Sequence, residues 1–236
     1  MRKSLAQTLC RANPAFFLPQ QASLLLRTSS RIRLPPPASM SADDQRRFKI
    51  YTRTGDKGTS ALYTGERRSK NDQIFEALGA IDELSSYLGL AREFCEEAGN
   101  GLEENLEKIQ CILLDAGANV ATPRGSASQF KLTRTEFDVD GTLVTELEDW
   151  IDALDRELDP LKNFILASGG RSASTLHVAR NMARSAERRV VPLIVDNLAD
   201  ASVGKYLNRL SDYLFTAARY AAKFEGKPER VYKKPN

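Results

Sequence analysis

The stretch Ala179-Arg180-Asn181-Met182-Ala183-Arg184-Ser185-Ala186-Glu187-Arg188-Arg189 decides the fold, because it has the pattern of the middle of an amphipathic helix. At about 100° per residue, its apolar positions share one stripe. That stripe extends to Leu176, Val190 and Ile194. Arg180, Arg184 and Glu187 form a second stripe beside it, with Arg188 at the edge; we call these four residues the arginine strip. A plain surface helix places its charges opposite the core, whereas these charges lie next to it.

Three arginines around Glu187 give this strip a net positive charge. Planar guanidinium groups donate hydrogen bonds to phosphate oxygens two at a time, so the pattern is typical of a polyphosphate-binding surface. A run of charges is also typical of a solvated helix face, held by pairs three or four residues apart. On this helix alone, both interpretations stay open.

Four further segments carry helical periodicity, and they are residues 71–97, 102–120, 142–158 and 200–224. Pro192 is expected to kink or end the helix of the arginine strip. The only strand expected is a β-prone run at 48–52, and residues 122–141 are expected to form a loop. Long apolar seams with so few strands predict an all-α fold, an antiparallel bundle of five helices.

The last predicted helix has a polar stripe beside its own apolar seam. The stripe consists of Asn208, Ser211, Asp212, Phe215 and Arg219. Two helices with such stripes indicate a shared binding site or a subunit interface, although satisfied buried pairs produce the same pattern.

The loop at 163–170 leads into the helix of the arginine strip. Ser172 or Ser174 is expected to cap that helix. Phe164 fits either a place in the core or a contact with a flat ligand, and the loop sequence leaves both open.

A second informative stretch is Arg53-Thr54-Gly55-Asp56-Lys57-Gly58-Thr59-Ser60. Glycine, hydroxyl side chains and lysine are the materials of a loop whose backbone N–H groups hold phosphate. The spacing does not match a Walker A loop, because no lysine follows Gly58. A plain turn remains the alternative.

The first 42 residues differ in composition from the rest of the chain. They hold six of the 34 Lys and Arg residues and no acid, which leaves 28 basic residues beside all 31 acidic ones in 43–236. A basic, Ser-rich and acid-free start is typical of a mitochondrial transit peptide, with a disordered basic tail as the alternative. We therefore expect a leader at 1–42, one domain at 43–236 and a location in the mitochondrial matrix. Without the leader the net charge changes from +3 to −3, so the chain offers no charge evidence for nucleic-acid binding.

The cysteine, histidine and hydropathy patterns exclude several classes of protein. Cys10, Cys95 and Cys111 have no metal-ligand spacing, and they do not form a disulfide framework. The single histidine, His177, cannot build a zinc site alone. No apolar run is long enough for a membrane span, so no membrane association is expected.

Several blocks, in order, point to one family. They are Tyr-Thr-Arg-Thr-Gly-Asp-Lys-Gly at 51–58, Gly-Glu-Arg-Arg at 65–68, Ile-Asp-Glu-Leu at 81–84, Phe-Ile-Leu at 164–166 with Ser-Gly-Gly at 168–170, the arginine strip together with Arg189, and Tyr-Leu-Asn-Arg-Leu-Ser-Asp at 206–212. The chain departs from the pattern at Ala167 and Ser185. Together they resemble the PduO-type ATP:cob(I)alamin adenosyltransferases, which include the mitochondrial enzyme of animals. Composition and spacing alone do not point to a corrinoid.

The resemblance implies a five-helix, ferritin-like bundle assembled as a homotrimer, with active sites between neighbouring subunits. ATP would lie, with Mg²⁺, on the N-terminal loop of one subunit and on the fourth and fifth helices. The implied ATP contacts are Thr52, Arg53, Thr54, Gly55, Ser60, Lys70, Arg184, Glu187, Arg188 and Asn208. Arg180 is implied to pair with Asp82 across the interface, and Phe164 to occupy the lower face of the corrin ring. No residue is implied as a metal ligand.

The implied reaction is attack of cob(I)alamin on the 5′ carbon of ATP, with triphosphate as the leaving group. It requires in-line positioning and cations rather than a protein nucleophile, and the residues implied to carry it are Arg180, Arg184, Asp82 and Phe164. A cobalamin reductase and an adenosylcobalamin-dependent mutase are the implied protein partners. Two other functions stay open, a nucleotide-binding regulator without catalysis and a carrier that mainly delivers adenosylcobalamin.

Overall fold

The computed structural model describes residues 51–235. The leader predicted at 1–42 lies outside the described residues, and so does most of the β-prone run at 48–52, whose last two residues are not in a strand. The helices are α1 Gln73–Ala98, α2 Glu103–Val120, α3 Gln129–Arg134, α4 Thr142–Asp155, α5 Gly170–Val195 and α6 Ala201–Phe224. The strands are β1 Thr59–Ala61, β2 Arg67–Ser69, β3 Ile165–Leu166 and β4 Arg230–Val231.

The five long helices confirm the prediction of an all-α bundle. The expectation that 122–141 is entirely a loop was wrong, because the six-residue helix α3 lies within it. The sequence reading also missed two antiparallel ribbons, β1 with β2 and β3 with β4. Pro192 lies inside α5, which ends three residues later at Val195.

The bundle is built by a chain of helix pairs. The pairs are α2 with α1, α1 with α5, α5 with α6, and α6 with α4. The central pair, α5 and α6, presents fully buried side chains that are mostly small on α5 and larger on α6. They are Ala173, Leu176, Ala179, Ala183, Ala186 and Val190 from α5, and Val203, Leu207, Leu210, Leu214, Ala217 and Ala221 from α6. Alanines on one side of a seam let the two helix backbones approach closely.

Helix ends are fixed by local hydrogen bonds, although not always by the residues expected. Asp72 caps α1 by accepting a bond from the N–H of Ile74 at 2.9 Å. The expected capping of α5 by Ser172 or Ser174 was wrong, because α5 begins at Gly170 and its cap position is Gly169. The Ser172 hydroxyl instead donates to the carbonyl of Phe94 at 3.1 Å, which ties α5 to α1.

Helix α4 is held more lightly than the other long helices, since Leu147 is its one fully buried residue. Beside Leu147, the indole of Trp150 packs on the ring of Tyr213 in α6, with 5.5 Å between centroids. The ammonium group of Lys108 in α2 lies 5.6 Å from the centroid of the same indole. Trp150 is therefore the main aromatic link between α4 and its neighbours.

Within residues 51–235, every helix is too short or too polar to cross a lipid bilayer.

The close packing of Gly169, at the start of α5, against α6 can be tested by substitution. Its φ is +98°, and a Cβ placed there would lie 2.5 Å from the Cβ of Ala222 and 3.1 Å from that of Ala173. Gly169→Ala is expected to lower the free energy of unfolding by about 2–4 kcal/mol, measured by chemical denaturation.

The control is Gly101→Ala, because Gly101 has a φ of +77° with no atom within 4 Å of the added Cβ. In this control the free energy of unfolding is expected to fall by about 1–2 kcal/mol, the cost of holding an alanine at positive φ without a steric clash. Equal losses in the two variants would contradict the steric part of the explanation.

Candidate active site

Residues 52–60 form a turn-rich segment that we call the phosphate loop. Arg53 adopts a left-handed backbone conformation, with φ of +56°, which is uncommon for a residue with a side chain. The N–H of Gly58 donates to the carbonyl of Gly55 at 3.1 Å. The hydroxyl oxygens of Thr52 and Thr54 are 2.9 Å apart. The loop is therefore a defined turn that presents hydroxyl groups and glycine backbone on an exposed surface.

Three cations follow the loop on and after β2, and the fold gives each a different environment. The guanidinium of Arg67 donates to the carbonyl of Thr54 at 2.7 Å and to the hydroxyl of Thr59 at 2.8 Å, so it holds the loop in shape. Arg68 donates to both carboxylate oxygens of Glu66, at 2.7 and 3.2 Å. This contact raises the pKa of Arg68 and lowers that of Glu66.

Lys70 is the third of these cations. A Cβ added to Gly55 would lie 3.1 Å from the Lys70 ammonium, so the lysine closes one side of the loop. Among the described residues its ammonium makes no hydrogen bond or ion pair. Lys70 is thus the cation that the fold leaves available beside the loop, which fits its implied role.

The arginine strip occupies one face of α5. Glu187 accepts a hydrogen bond from the side-chain amide of Asn208 in α6, at 2.9 Å, so these two predicted site residues lie together. Arg184 and Arg188 are exposed, and neither forms an ion pair within residues 51–235. The next cation, Arg189, is engaged elsewhere, since its Nε lies 3.7 Å from the carboxylate of Glu76. The strip therefore presents two unpaired guanidinium groups beside an ordered Glu–Asn pair.

Arg180 lies one turn before Arg184 in a more enclosed place. Its guanidinium lies over the ring of Phe215, 5.5 Å from the centroid, and its Nε is buried without a hydrogen-bond partner. Burial lowers the pKa of Arg180, and the charge of Arg184 lowers it further. A partly buried cation without a partner costs free energy, and a carboxylate brought to it in good geometry can offset that cost.

Asp82, the predicted partner of Arg180, lies on the exposed side of α1. It makes no hydrogen bond or ion pair with the described residues. It borders a cavity of about 330 Å³ between α1 and α2 whose other walls include Tyr63, Ile81 and Leu113. A carboxylate at the rim of an apolar groove is a place where a second chain can dock.

Phe164 immediately precedes β3, and its side chain is 85% exposed. The alternative that Phe164 belongs to the core of the chain was therefore wrong. Its backbone, in contrast, is held, because its carbonyl accepts a hydrogen bond from the N–H of Tyr232 at 2.8 Å. An ordered backbone with an unpacked aromatic ring fits a contact with a flat ligand.

The structure brings the predicted residues together in two groups rather than one. The first is the phosphate loop with Lys70, and the second is the arginine strip with Asn208. Across residues 51–235, no hydrogen bond or ion pair joins the loop to the strip. The polar residues of α6 do not all belong to the candidate site. Asn208 bonds to Glu187 of the arginine strip, whereas Ser211 and Arg219 are buried.

Sequence reasoning gave no role to Arg67, which orders the loop through the carbonyl of Thr54. Within Gly-Glu-Arg-Arg at 65–68 the sequence does not distinguish Arg67 from Arg68. The two arginines differ in the side of β2 that they occupy, which only the structure shows.

The site offers no protein nucleophile and no cluster of metal ligands. Burial raises the pKa of Cys95 to about 11, so its thiol stays protonated at neutral pH. His177 is buried, and burial with the charge of Arg180 lowers its pKa to about 4. Residues 51–235 contain no group of three or more His, Cys, Asp or Glu side chains placed to hold a metal ion. The chemistry available here is the binding of anions by fixed cations.

Comparison with known families matches residues 50–221 to the cobalamin adenosyltransferases. The corrinoid adenosyltransferase MMAB of Bos taurus is 57% identical over 186 residues, which cover 79% of this chain and 76% of that protein. The chain belongs to the cobalamin adenosyltransferase family. The resemblance seen in the sequence blocks is thereby confirmed.

Other cobalamin adenosyltransferases agree in sequence and fold. MMAB of Homo sapiens is 55% identical over 79% of this chain and 74% of that protein. The structure of a variant PduO-type ATP:corrinoid adenosyltransferase from Lactobacillus reuteri, complexed with cobalamin and ATP, superimposes with a TM-score of 0.72 at 36% identity. That superposition covers 79% of this chain and 100% of the other. The roles of individual residues in this cobalamin adenosyltransferase stay predictions.

Because His177 has a lowered pKa in the folded chain, we expect this cobalamin adenosyltransferase to lose stability as the pH falls. The unfolded chain takes up a proton near the ordinary pKa of 6.5, while the folded chain resists protonation down to about 4. The stability that this difference contributes is present above pH 6.5 and is lost as the pH falls towards 4. The expected loss is about 2–3 kcal/mol.

The measurement is the free energy of unfolding at several pH values for the natural chain and for His177→Gln. The difference between the two curves isolates His177 from the carboxylates that titrate in the same range. Two curves that stay parallel from pH 7 to pH 4.5 would contradict this explanation.

Proposed function

We propose that this corrinoid adenosyltransferase transfers the 5′-deoxyadenosyl group of ATP to cob(I)alamin at sites shared by neighbouring subunits of a homotrimer. The observation that carries the shared site is that two groups of predicted ATP contacts are each ordered and each include a cation without an ion pair among the described residues. The groups are the phosphate loop with Lys70 and the arginine strip with Asn208. An ATP molecule between two chains would connect the loop of one to the strip of the next.

The protein forms no covalent bond with either substrate in this reaction. Cob(I)alamin, a substrate, supplies the electron pair that forms the bond from cobalt to the 5′ carbon. The bond from that carbon to oxygen breaks, and its electron pair leaves with triphosphate. The protein holds the two substrates in line and stabilises the charge of the leaving group, which are the tasks of positioned cations.

Arg184, Arg188, Arg53 and Lys70 are the cations that we assign to triphosphate. The first two project from a rigid helix, and Lys70 closes the phosphate loop beside Gly55. Glu187 and Asn208 form a hydrogen-bonded pair at the same face, and we assign them to the polar groups of the nucleoside. Thr52, Thr54 and Ser60 supply hydroxyl groups along the loop.

Mg²⁺ fits this site as an ion carried by the nucleotide. The described residues lack a cluster of carboxylates, and Mg²⁺ at nucleotide sites takes most of its ligands from phosphate oxygens and water. The role of Mg²⁺ there is to neutralise part of the triphosphate charge, and the arginine strip neutralises the rest.

Phe164 is assigned to the lower face of the corrin ring. Its side chain is 85% exposed on an ordered backbone, so in this chain its ring is free to pack against a planar substrate. An aromatic ring in the position of the lower ligand leaves the cobalt of bound cob(II)alamin four-coordinate, which makes its reduction accessible. A reductase is thus proposed as the partner that delivers the electron.

The pairing of Arg180 with Asp82 of a neighbouring subunit is proposed as part of the trimer interface. Arg180 has a buried Nε without a partner, and Asp82 lies beside an apolar groove on a different face. The composition of residues 1–42 supports a location in the mitochondrial matrix. Transfer of the product to an adenosylcobalamin-dependent mutase is a further proposal.

An assay with isolated protein tests the function. Cobalamin is reduced chemically to cob(I)alamin and mixed with ATP, and the absorbance change that accompanies formation of the Co–C bond is followed together with release of triphosphate. One triphosphate per adenosylcobalamin is expected. Binding of ATP without product would indicate a regulator instead, and turnover limited by release to a mutase would indicate a carrier.

Arg184 provides a direct test of triphosphate binding. Arg184→Ala removes a charge-assisted contact of about 1.5–3 kcal/mol, so ATP affinity is expected to fall tenfold or more and transfer to slow. Arg184→Lys is expected to recover only part of the affinity, because it keeps the charge and loses the planar fork. Unchanged ATP binding in Arg184→Ala, measured by calorimetry, would return the strip to the solvated-face interpretation.

The proposed pair of Arg180 and Asp82 is tested by a double-mutant cycle. Arg180→Ala would leave Asp82 of the neighbouring subunit uncompensated, so it is expected to lower the thermal stability of the trimer more than it lowers ATP affinity. The double variant Arg180→Ala with Asp82→Ala is expected to lose less than the sum of the single losses. Strict additivity of the three melting temperatures would rule out the pairing.

A further inference from the structure

The end of the chain returns to the loop that carries Phe164. Strand β4 pairs antiparallel with β3, with Val231 opposite Ile165 and Arg230 opposite Leu166. The carbonyl of Phe164 accepts the N–H of Tyr232 at 2.8 Å, as described above. The backbone that carries the Phe164 ring is therefore held by a ribbon whose second strand is β4.

Ser168 adds two more bonds to the same ribbon. The N–H of Arg230 donates to its hydroxyl oxygen at 2.9 Å, and this hydroxyl donates to the carbonyl of Leu166 at 2.9 Å. The ribbon still has only two residues in each strand, and isolated two-stranded ribbons are marginal in water. Something else must hold β4 in place.

Arg219 of α6 makes that connection. Its Nε donates to the carboxylate of Glu229 at 3.2 Å, and its Nη2 donates to the carbonyl of Asp159 at 2.8 Å. Glu229 immediately precedes β4, and Asp159 lies in the segment that leads from α4 to Phe164. One guanidinium group of α6 thus bonds to each of the two segments that lead into the strands of the ribbon. We call Arg219, Glu229 and Asp159 the clasp.

The environment of this guanidinium differs from that of every other cation paired in residues 51–235. The side chain of Arg219 is 8% exposed, whereas the next most buried cation of an ion pair, Arg68, is 25% exposed. A buried cation costs free energy unless its partners have good geometry, and removal of one partner is strongly destabilising. Lys223, one turn later in α6, supports the same segment by donating to the carbonyl of Glu157.

We propose that Arg219 is a positioning residue for Phe164, which acts through Glu229 and the carbonyl of Asp159 to hold the β3–β4 ribbon against α6. The proposal rests on the role assigned to Phe164 at the lower face of the corrin ring. The clasp touches neither ATP nor the reacting atoms. Its contribution is confined to the step in which cob(II)alamin is held four-coordinate and accepts an electron.

The first test measures the ribbon directly. Glu229→Ala removes the carboxylate of the clasp and leaves Arg219 in place, and amide hydrogen exchange is followed in peptides that cover 163–168 and 229–233. Exchange in both peptides is expected to become about tenfold faster, since a charge-assisted hydrogen bond has been lost. Unchanged exchange in either peptide would overturn the proposal.

The matched control is Glu107→Ala, which breaks the ion pair with Arg92, where the carboxylate side chain is 65% exposed. It also removes one acidic partner of an arginine and lies in α2, outside the clasp. Exchange in the two peptides is expected to match that of the natural chain. Faster exchange in this control would show that any lost ion pair loosens the ribbon, which would overturn the proposal.

The second test separates positioning from general stability. Transfer is measured from cob(II)alamin with a reduced flavoprotein as electron donor, and from cob(I)alamin prepared with borohydride. In Glu229→Ala the first rate is expected to fall about five- to tenfold, and the second rate and the KM for ATP to change less than twofold. Glu229→Gln keeps an acceptor for the Nε of Arg219 and is expected to recover part of the first rate. Equal losses in both assays would overturn the positioning role.

A double variant distinguishes failure of this inference from failure of the role given to Phe164. If the clasp acts through Phe164, Glu229→Ala adds no loss to Phe164→Ala in the assay with cob(II)alamin. Additive losses would overturn the inference alone. Full activity of Phe164→Ala in that assay would instead overturn the proposed role of Phe164, while the exchange measurement would still decide whether the clasp holds the ribbon.

Discussion

Close contact between α5 and α6 is the constraint on which the rest of this structure depends. Alanines at 173, 179, 183 and 186 of α5 are fully buried, and such small side chains allow a neighbouring helix to approach closely. Gly169 continues this contact to the start of α5, where any side chain would meet Ala222. Polar residues beside this seam have backbone positions that are fixed by the packing of the two helices. Glu187 of α5 and Asn208 of α6 meet across the two helices.

The cations of this chain divide into those that build the fold and those that the fold leaves free. Arg67 shapes the phosphate loop, Arg68 binds Glu66, and Arg219 closes the clasp. Lys70 and Arg184 make no ion pair with the described residues. The first group donates its hydrogen bonds to acceptors inside the chain, whereas the second has donors available for an anion. The second group is the one that we propose binds the triphosphate of ATP.

The long helices were predictable from the sequence because their apolar seams repeat over many turns. The ribbons were not, since strands of two or three residues carry no alternation, and Ile165 finds its partner at Val231, far along the chain. The cap of α5 was mispredicted because a glycine with positive φ begins the helix and Ser172 bonds to another helix. Local sequence does not contain these tertiary contacts.

The candidate site shows the same limit at the level of single residues. The sequence blocks predicted which side chains belong to it, and the fold confirms that Glu187 lies beside Asn208. Composition cannot show which of Arg67, Arg68 and Lys70 stays unpaired, because that depends on the side of β2 that each arginine occupies and on where Glu66 lies. The exposure of Phe164 likewise follows from a ribbon closed by the last residues of the chain.

The lightly held helix α4 has a consequence for spectroscopy. The sequence contains one tryptophan, Trp150, and its indole lies in the joint between α4 and α6 with the ammonium of Lys108 nearby. Tryptophan emission from the natural chain therefore arises from this single place. Because α4 buries only Leu147 completely, we expect local opening of α4 before the central helix pair is lost. The tryptophan fluorescence of this protein is thus expected to report the docking of one helix rather than the state of the whole bundle.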